Sequence, residues 1–197
     1  MKYKIISLSL VKELSHGMSV SNLAYLVAKE LGLSEEDCHD LAVAGFLHDV
    51  GKLELGRCFR NEEQETLTVE ELKYVRLHPE FGSEILRREG YNERIVSYVL
   101  NHHENCDGTG YPQNLHKDEI PFGARILRVC DVFIALTSDR PYRKAFDIET
   151  AMELMIDEVK NYDMQVFLAL MRVIHEEGIE EILDKGDQES LFEEEEL

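Results

Sequence analysis

Apolar residues recur at three- and four-residue intervals along most of this chain, with polar residues filling the faces between them. In SVSNLAYLVAKELG, Val20, Leu23, Ala24, Val27 and Leu31 keep helical spacing until Gly32 offers a stop. Ahead of it, Ile5, Ile6, Leu8, Val11 and Leu14 predict a separate short helix over residues 2–14. Ser34 followed by Glu35, Glu36 and Asp37 approximates a capping box. The helix it opens carries Leu41, Ala44, Phe46 and Leu47 and delivers His48-Asp49 near its end. A second capping box, Thr68 to Glu71, starts a segment running through Leu72, Val75, His78, Phe81, Ile85 and Leu86, which Pro79 kinks or restarts. Residues 93–103 form a helix ending in His102-His103. FGARILRVCDVFIALTS places Asp131 mid-helix, and DIETAMELMIDEV and MQVFLALMRVIHEEG predict two more helices. No β alternation and no internal repeat interrupt this pattern, so the expected fold is all-α, one helical domain of about seven helices.

Two stretches break the periodicity. GRCFRNEEQETLT, residues 56–68, is a polar connector long enough to be an active-site loop or flap. Residues 104–121 carry Gly108, Gly110, Pro112 and Pro121, which exclude a long helix there. The expected organisation is an N-terminal helix over 1–15, a catalytic domain over 16–177 and an acidic tail over 178–197.

With 197 residues and 44% hydrophobic content, the chain suits one well-buried domain. Its formal charge of −19 argues against a nucleic-acid binder, which spreads Lys and Arg over its contact face. Eleven acidic residues against one lysine lie between Glu176 and Leu197, so about half the charge sits in the last tenth of the chain and need not surround any site. Cys38, Cys58, Cys106 and Cys130 form no CxxC pair, and no secretory leader or long apolar run is present. A soluble cytoplasmic protein, neither membrane-bound nor disulfide-stapled, is expected. The N-terminal amphipathic helix leaves a homodimer open.

The chemistry gathers around histidines. Asp49 is a hard oxygen ligand able to bridge two cations, while His48 beside it can serve one. His102-His103 presents two more imidazoles near a helix end, and His16, His78 and Asp131 would complete a mixed nitrogen and oxygen shell. With Asp49 as a bridge, these side chains fill eight positions of the roughly twelve that two octahedral ions want, leaving room for water and substrate. Such a shell fits Fe or Mn better than thiolate-bound zinc. His39, His116 and His175 lack this context and read as surface or structural, and Asp107 reads as a turn former before Gly108. Lys52, three residues after Asp49, can neutralise a phosphoryl oxygen or stay solvated. Arg140, Arg143 and Lys144 can grip phosphate or cap a helix C-terminus.

His16 with Val20, LHDVGK at 47–52, His78-Pro79, HHENCDGTGYP at 102–112, IPFGARILRVCD at 120–131 and ALTSDRPYRKA at 135–145 together resemble the HD-GYP family of HD-domain phosphohydrolases. The resemblance covers about residues 12–175. It implies hydrolysis of cyclic di-GMP to pGpG, often onward to GMP, by a metal-activated hydroxide at a two- or three-metal centre. Carried over by motif, His16, His48, Asp49, His78, His102, His103 and Asp131 would be metal ligands, with Asp49 the bridge. Lys52, Tyr111, Arg140 and Arg143 would contact substrate, and Lys52 would add electrostatic stabilisation alongside Asp49. The Gly110-Tyr111-Pro112 loop is linked in the family to GGDEF-type cyclases.

The chain departs from the family pattern at four places. Lys12 stands where a third-metal glutamate is usual, which favours two divalent ions over three. Ile134 replaces a second aspartate, Leu55-Gly56 an Ile-Pro pair, and Tyr162-Asp163-Met164 a Phe-Asp-Pro. An HD phosphohydrolase acting on another nucleotide, or a weakly catalytic module that binds cyclic dinucleotide or docks a cyclase, are the alternatives.

Overall fold

The computed structural model describes residues 2–54, 75–140 and 143–176, with side chains from residue 13 onward. Among them lie seven α-helices and no strand: α1 Lys2–Glu30, α2 Glu35–Leu47, α3 His78–Arg88, α4 Glu93–Asn101, α5 Phe122–Thr137, α6 Ile148–Asp157 and α7 Met164–Ile174. Short 3-10 turns at Lys117–Glu119 and Val159–Asn161 precede α5 and α7. The all-α expectation holds. The Thr68 capping box, the connector, Lys12's side chain and the acidic tail lie outside the described residues.

One boundary differs from the sequence reading. The predicted helix over 2–14 and the one after it are a single continuous α1. Its middle passes Gly17, where a Cβ would stand 2.6 Å from Phe46 O, so glycine serves here as a contact residue between α1 and α2 rather than as a break. Ser34 caps α2 as expected, accepting from Asp37 N at 3.1 Å. The segment before His78 ends in a turn and α3 restarts there, with Pro79 in its first turn where a missing N–H costs nothing.

α5 is the spine, packing against α1, α2, α4, α6 and α7. Ile126, Leu127, Val129, Cys130, Phe133 and Ile134 are buried on it, meeting Val20, Leu23 and Val27 of α1 and Val166 and Leu170 of α7 in one core. Each large apolar side chain buried this way contributes about 1.5–3 kcal/mol. Ile134 is 1% exposed and belongs to that core.

Polar ties fix the helices around the core. Arg94 on α4 reaches Glu36, Asp37 and Asp40 of α2 at 2.6–2.7 Å. Asp163 caps α7 through Gln165 N and also pairs with Arg125 at 2.7 Å, locking α7 to α5. The result holds the C-terminal ends of α2 and α4 beside the middle of α5.

Candidate metal centre

The site is built on helix ends. The last carbonyls of a helix have no intrahelical partner, and here imidazoles take them up. His48 caps α2 and donates Nδ1–H to Gly45 O at 2.7 Å; His102 caps α4 and donates Nδ1–H to Val99 O at 2.6 Å. His78 does the same with Val75 O at 2.7 Å. Each of these bonds fixes the ring and its tautomer and leaves Nε2 as a lone-pair donor aimed inward.

Those Nε2 atoms converge on carboxylates. His48 Nε2 lies 3.1 Å from Asp49 Oδ2, and His78 Nε2 lies 3.1 Å from Asp49 Oδ1, so both oxygens of Asp49 face imidazoles. On the other side His16 Nε2 is 3.0 Å from Asp131 Oδ1, with His48 Nε2 at 3.8 Å from the same oxygen. The His102 and His103 rings sit 4.1 Å apart between centroids. Ligand atoms of Asp49, His78, His102 and His103 fall within 4.8 Å of one another, and so do those of His16, His48 and Asp49. Asp49 belongs to both groups.

Divalent cations fit this donor set. The Nε2 atoms of His78 and His102 face each other at 3.3 Å, two lone-pair donors deep in the protein. His48 Nε2 and Asp49 Oδ1 are buried without a hydrogen bond among the described residues. Burying such groups unpaired is costly, and a shared cation relieves the cost for all of them.

Electrostatics divides the candidate ligands. Burial, with its imidazole neighbours, holds His102 well below the ordinary histidine range, and burial takes His103 down to about 3. Both are neutral and ready to coordinate. Burial also works against charge on His48, but the Asp49 carboxylate, helped by Asp131, outweighs it and lifts His48 to about 9. Asp49 and Asp131 are held well below the carboxylate range because their histidine neighbours outweigh desolvation.

Around the cluster, Lys52 is no solvated bystander: its Nζ lies 2.6 Å from Asp49 Oδ2 and 3.1 Å from Glu13 Oε2. Tyr111 follows the paired histidines in a loop with a cis Tyr111-Pro112 bond and stacks on His103 at 4.7 Å. Arg143 takes the capping role open to it in the sequence, donating to Ala135 O, Leu136 O and Lys144 O at 2.6–2.9 Å. Arg140 is joined to it through the backbone. His39, His116 and His175 are exposed, outside the cluster, and Asp107 forms the turn, accepting from Thr109 N at 3.0 Å.

The sequence reading passed over Glu104. This carboxylate is 1% exposed and accepts from Gln113 N at 2.6 Å and Leu115 N at 3.0 Å, clamping the loop that carries Tyr111. Its place directly after two histidines was the available signal. Asn105 and Arg128 were also passed over; Arg128 Nε donates to Asn105 Oδ1 at 3.0 Å.

A family model described as HD domain matches residues 1–166. The chain belongs to the HD-domain family. It is 36% identical over 160 residues to a cyclic di-GMP phosphodiesterase of Pseudomonas aeruginosa, covering 81% of this chain and 38% of that protein. It is 32% identical over 161 residues to a 3'3'-cGAMP-specific phosphodiesterase of Vibrio cholerae, covering 81% of this chain and 35% of that one. The chain thus spans well under half the length of these curated relatives. Among solved structures, an HDG"Y"P protein from Bdellovibrio bacteriovorus superposes with a TM-score of 0.65 at 22% identity, over 81% of this chain and 51% of that chain, a likeness of fold. No described helix is long and apolar enough to cross a membrane.

Proposed function

We propose that this chain is a metal-dependent phosphodiesterase domain that hydrolyses cyclic di-GMP to pGpG and onward to GMP. The observation that carries the reading is the convergence of six side chains in two candidate ligand groups that share Asp49, with Asp131 lying against His16 and His48. In this reading His16, His48, Asp49, His78, His102, His103 and Asp131 would hold two divalent ions, Fe or Mn, with Asp49 common to both groups. Such ions supply Lewis acidity, activating water as the nucleophile and drawing charge from the phosphoryl oxygens.

The protein's own groups do the rest. The backbone carbonyls of Gly45, Val75 and Val99 hold three imidazoles in register, so no reorganisation is required when substrate arrives. Lys52 orients Asp49 and places a permanent positive charge beside the reacting phosphate, its pKa raised because Asp49 and Glu13 outweigh burial. Tyr111 shields His103 from solvent on one side of the cluster.

The two curated relatives divide between cyclic di-GMP and 3'3'-cGAMP, which share the cyclic diester and differ in one base. The test is incubation of the protein with each nucleotide under anaerobic Fe or Mn loading, followed by product separation. Formation of pGpG and GMP, lost in His48→Ala and Asp49→Ala with helical content retained, supports the reading. Preferential cleavage of cGAMP transfers it to that substrate, and full activity in both variants refutes it.

A further inference from the structure

A cyclic dinucleotide carries two phosphates, and only one is cleaved at a time. The other needs a cation of its own, in a protein whose formal charge is −19. Lys52 is already shared between Asp49 and Glu13, and Arg143 is committed to two carbonyls at the end of α5 and to that of Lys144. Two other arginines border the cluster.

Arg128 lies on α5 one turn before Asp131, so its side chain leaves the helix on the same face as that ligand. It is half-buried and makes one neutral hydrogen bond, to Asn105, two residues beyond His103; no carboxylate among the described residues pairs with it. Arg76, two residues before His78, places its guanidinium 5.3 Å from the centroid of the Tyr111 ring. Arg76 thus lies over the ring that stacks on His103, and Arg128 is held at Asn105, in the loop that carries that ring. A guanidinium half-withdrawn from water and lacking an anionic partner is a poor use of burial unless an anion visits.

We propose that Arg128, assisted by Arg76 over the Tyr111 ring, grips the phosphate of the cyclic dinucleotide that is not undergoing cleavage. This rests on the phosphodiesterase reading above and deepens it by assigning a substrate subsite. Arg128 offers its terminal nitrogens in a planar fork that matches two phosphate oxygens, while Nε stays on Asn105. Arg76 lies on the rim and adds field more than geometry.

The test compares cyclic di-GMP with bis(p-nitrophenyl) phosphate, which has a single phosphodiester, in wild type, Arg128→Ala, Arg128→Lys and Arg76→Ala. For Arg128→Ala, KM for cyclic di-GMP is expected to rise on the order of tenfold to a hundredfold, the loss of a charge-assisted bidentate contact. Its kcat/KM for cyclic di-GMP falls at least fivefold further than for the small ester, Arg128→Lys recovers part of the difference, and Arg76→Ala shows a smaller shift in the same direction. Parallel loss on both substrates would mean that Arg128 only braces Asn105, and no loss on either would mean that it touches nothing; both overturn the proposal. Should metal-loaded wild type cleave neither compound, the phosphodiesterase reading fails, and equilibrium binding of labelled cyclic di-GMP still decides the subsite. Weakening of about tenfold or more in Arg128→Ala supports it, and unchanged binding overturns it.

Discussion

Gly51, in the His48-Asp49-Val50-Gly51-Lys52 run, is where the packing of two elements becomes a condition for the site. A Cβ built there would lie 2.0 Å from His78 O, 2.9 Å from His78 C and 2.6 Å from Gly82 N, all backbone atoms of α3. Comfortable contacts are about 3.5 Å, so Gly51→Ala has to push the start of α3 away by about 1–1.5 Å. His78 is the first residue of α3, and its Nε2 stands 3.1 Å from Asp49 Oδ1. A shift of that size breaks the approach of His78 to Asp49 while leaving every ligand present. Overpacking of this kind costs about 1–3 kcal/mol, and an ångström of misplacement at a reacting centre costs about a hundredfold in rate. Urea unfolding reads the first quantity and kcat/KM with saturating metal reads the second. Because α3 can yield, the account predicts the larger loss in rate. A variant with wild-type activity, or one whose activity loss tracks its unfolded fraction, would refute the claim that Gly51 sets the position of His78.

Further perturbations follow from the same geometry. Glu104→Ala removes the buried acceptor of two loop amides and should destabilise the protein by about 1–3 kcal/mol, with amide exchange of Gln113 and Leu115 accelerated; unchanged exchange would remove Glu104 as the clamp. Metal binding should release a proton from His48. Below about pH 9 its imidazolium must deprotonate before Nε2 can coordinate, so affinity rises by about one log unit per pH unit up to that point and then levels. Calorimetry in buffers of different ionisation enthalpy reads this release directly, and a pH-independent affinity between 7 and 9 contradicts the His48–Asp49 pairing. His39→Ala, at an exposed position on α2, should change stability by less than about 0.5 kcal/mol and leave metal content unaltered.

The helical pattern was legible because each helix buries one stripe against the α5 spine, so the core spacing appears in the sequence as periodicity. The α1 boundary was not legible because the close approach of α1 to α2, across which the two stretches join into one helix, leaves no mark in the local periodicity. Gly17 sits against Phe46 O, a contact between residues far apart in the chain. The histidines and aspartates of the cluster were readable as residue types, but the way their rings are held was not. That His48, His78 and His102 all use carbonyls three residues back is a property of helix ends, visible only once those ends are fixed. Arg143 and Arg128 show the limit most clearly. Side by side in sequence logic both are arginines near Asp131, yet one closes a helix end and the other faces the loop of Tyr111.

The most direct test of the binuclear account is a titration of metal-free protein with Mn, or with Fe under anaerobic conditions, following cyclic di-GMP hydrolysis and bound metal in the same samples. The account predicts no turnover without metal, activity that climbs to a plateau at two ions per chain, and abolition of both by Asp49→Ala. Turnover that persists in chelator, or a plateau reached with Asp49 replaced, would contradict it.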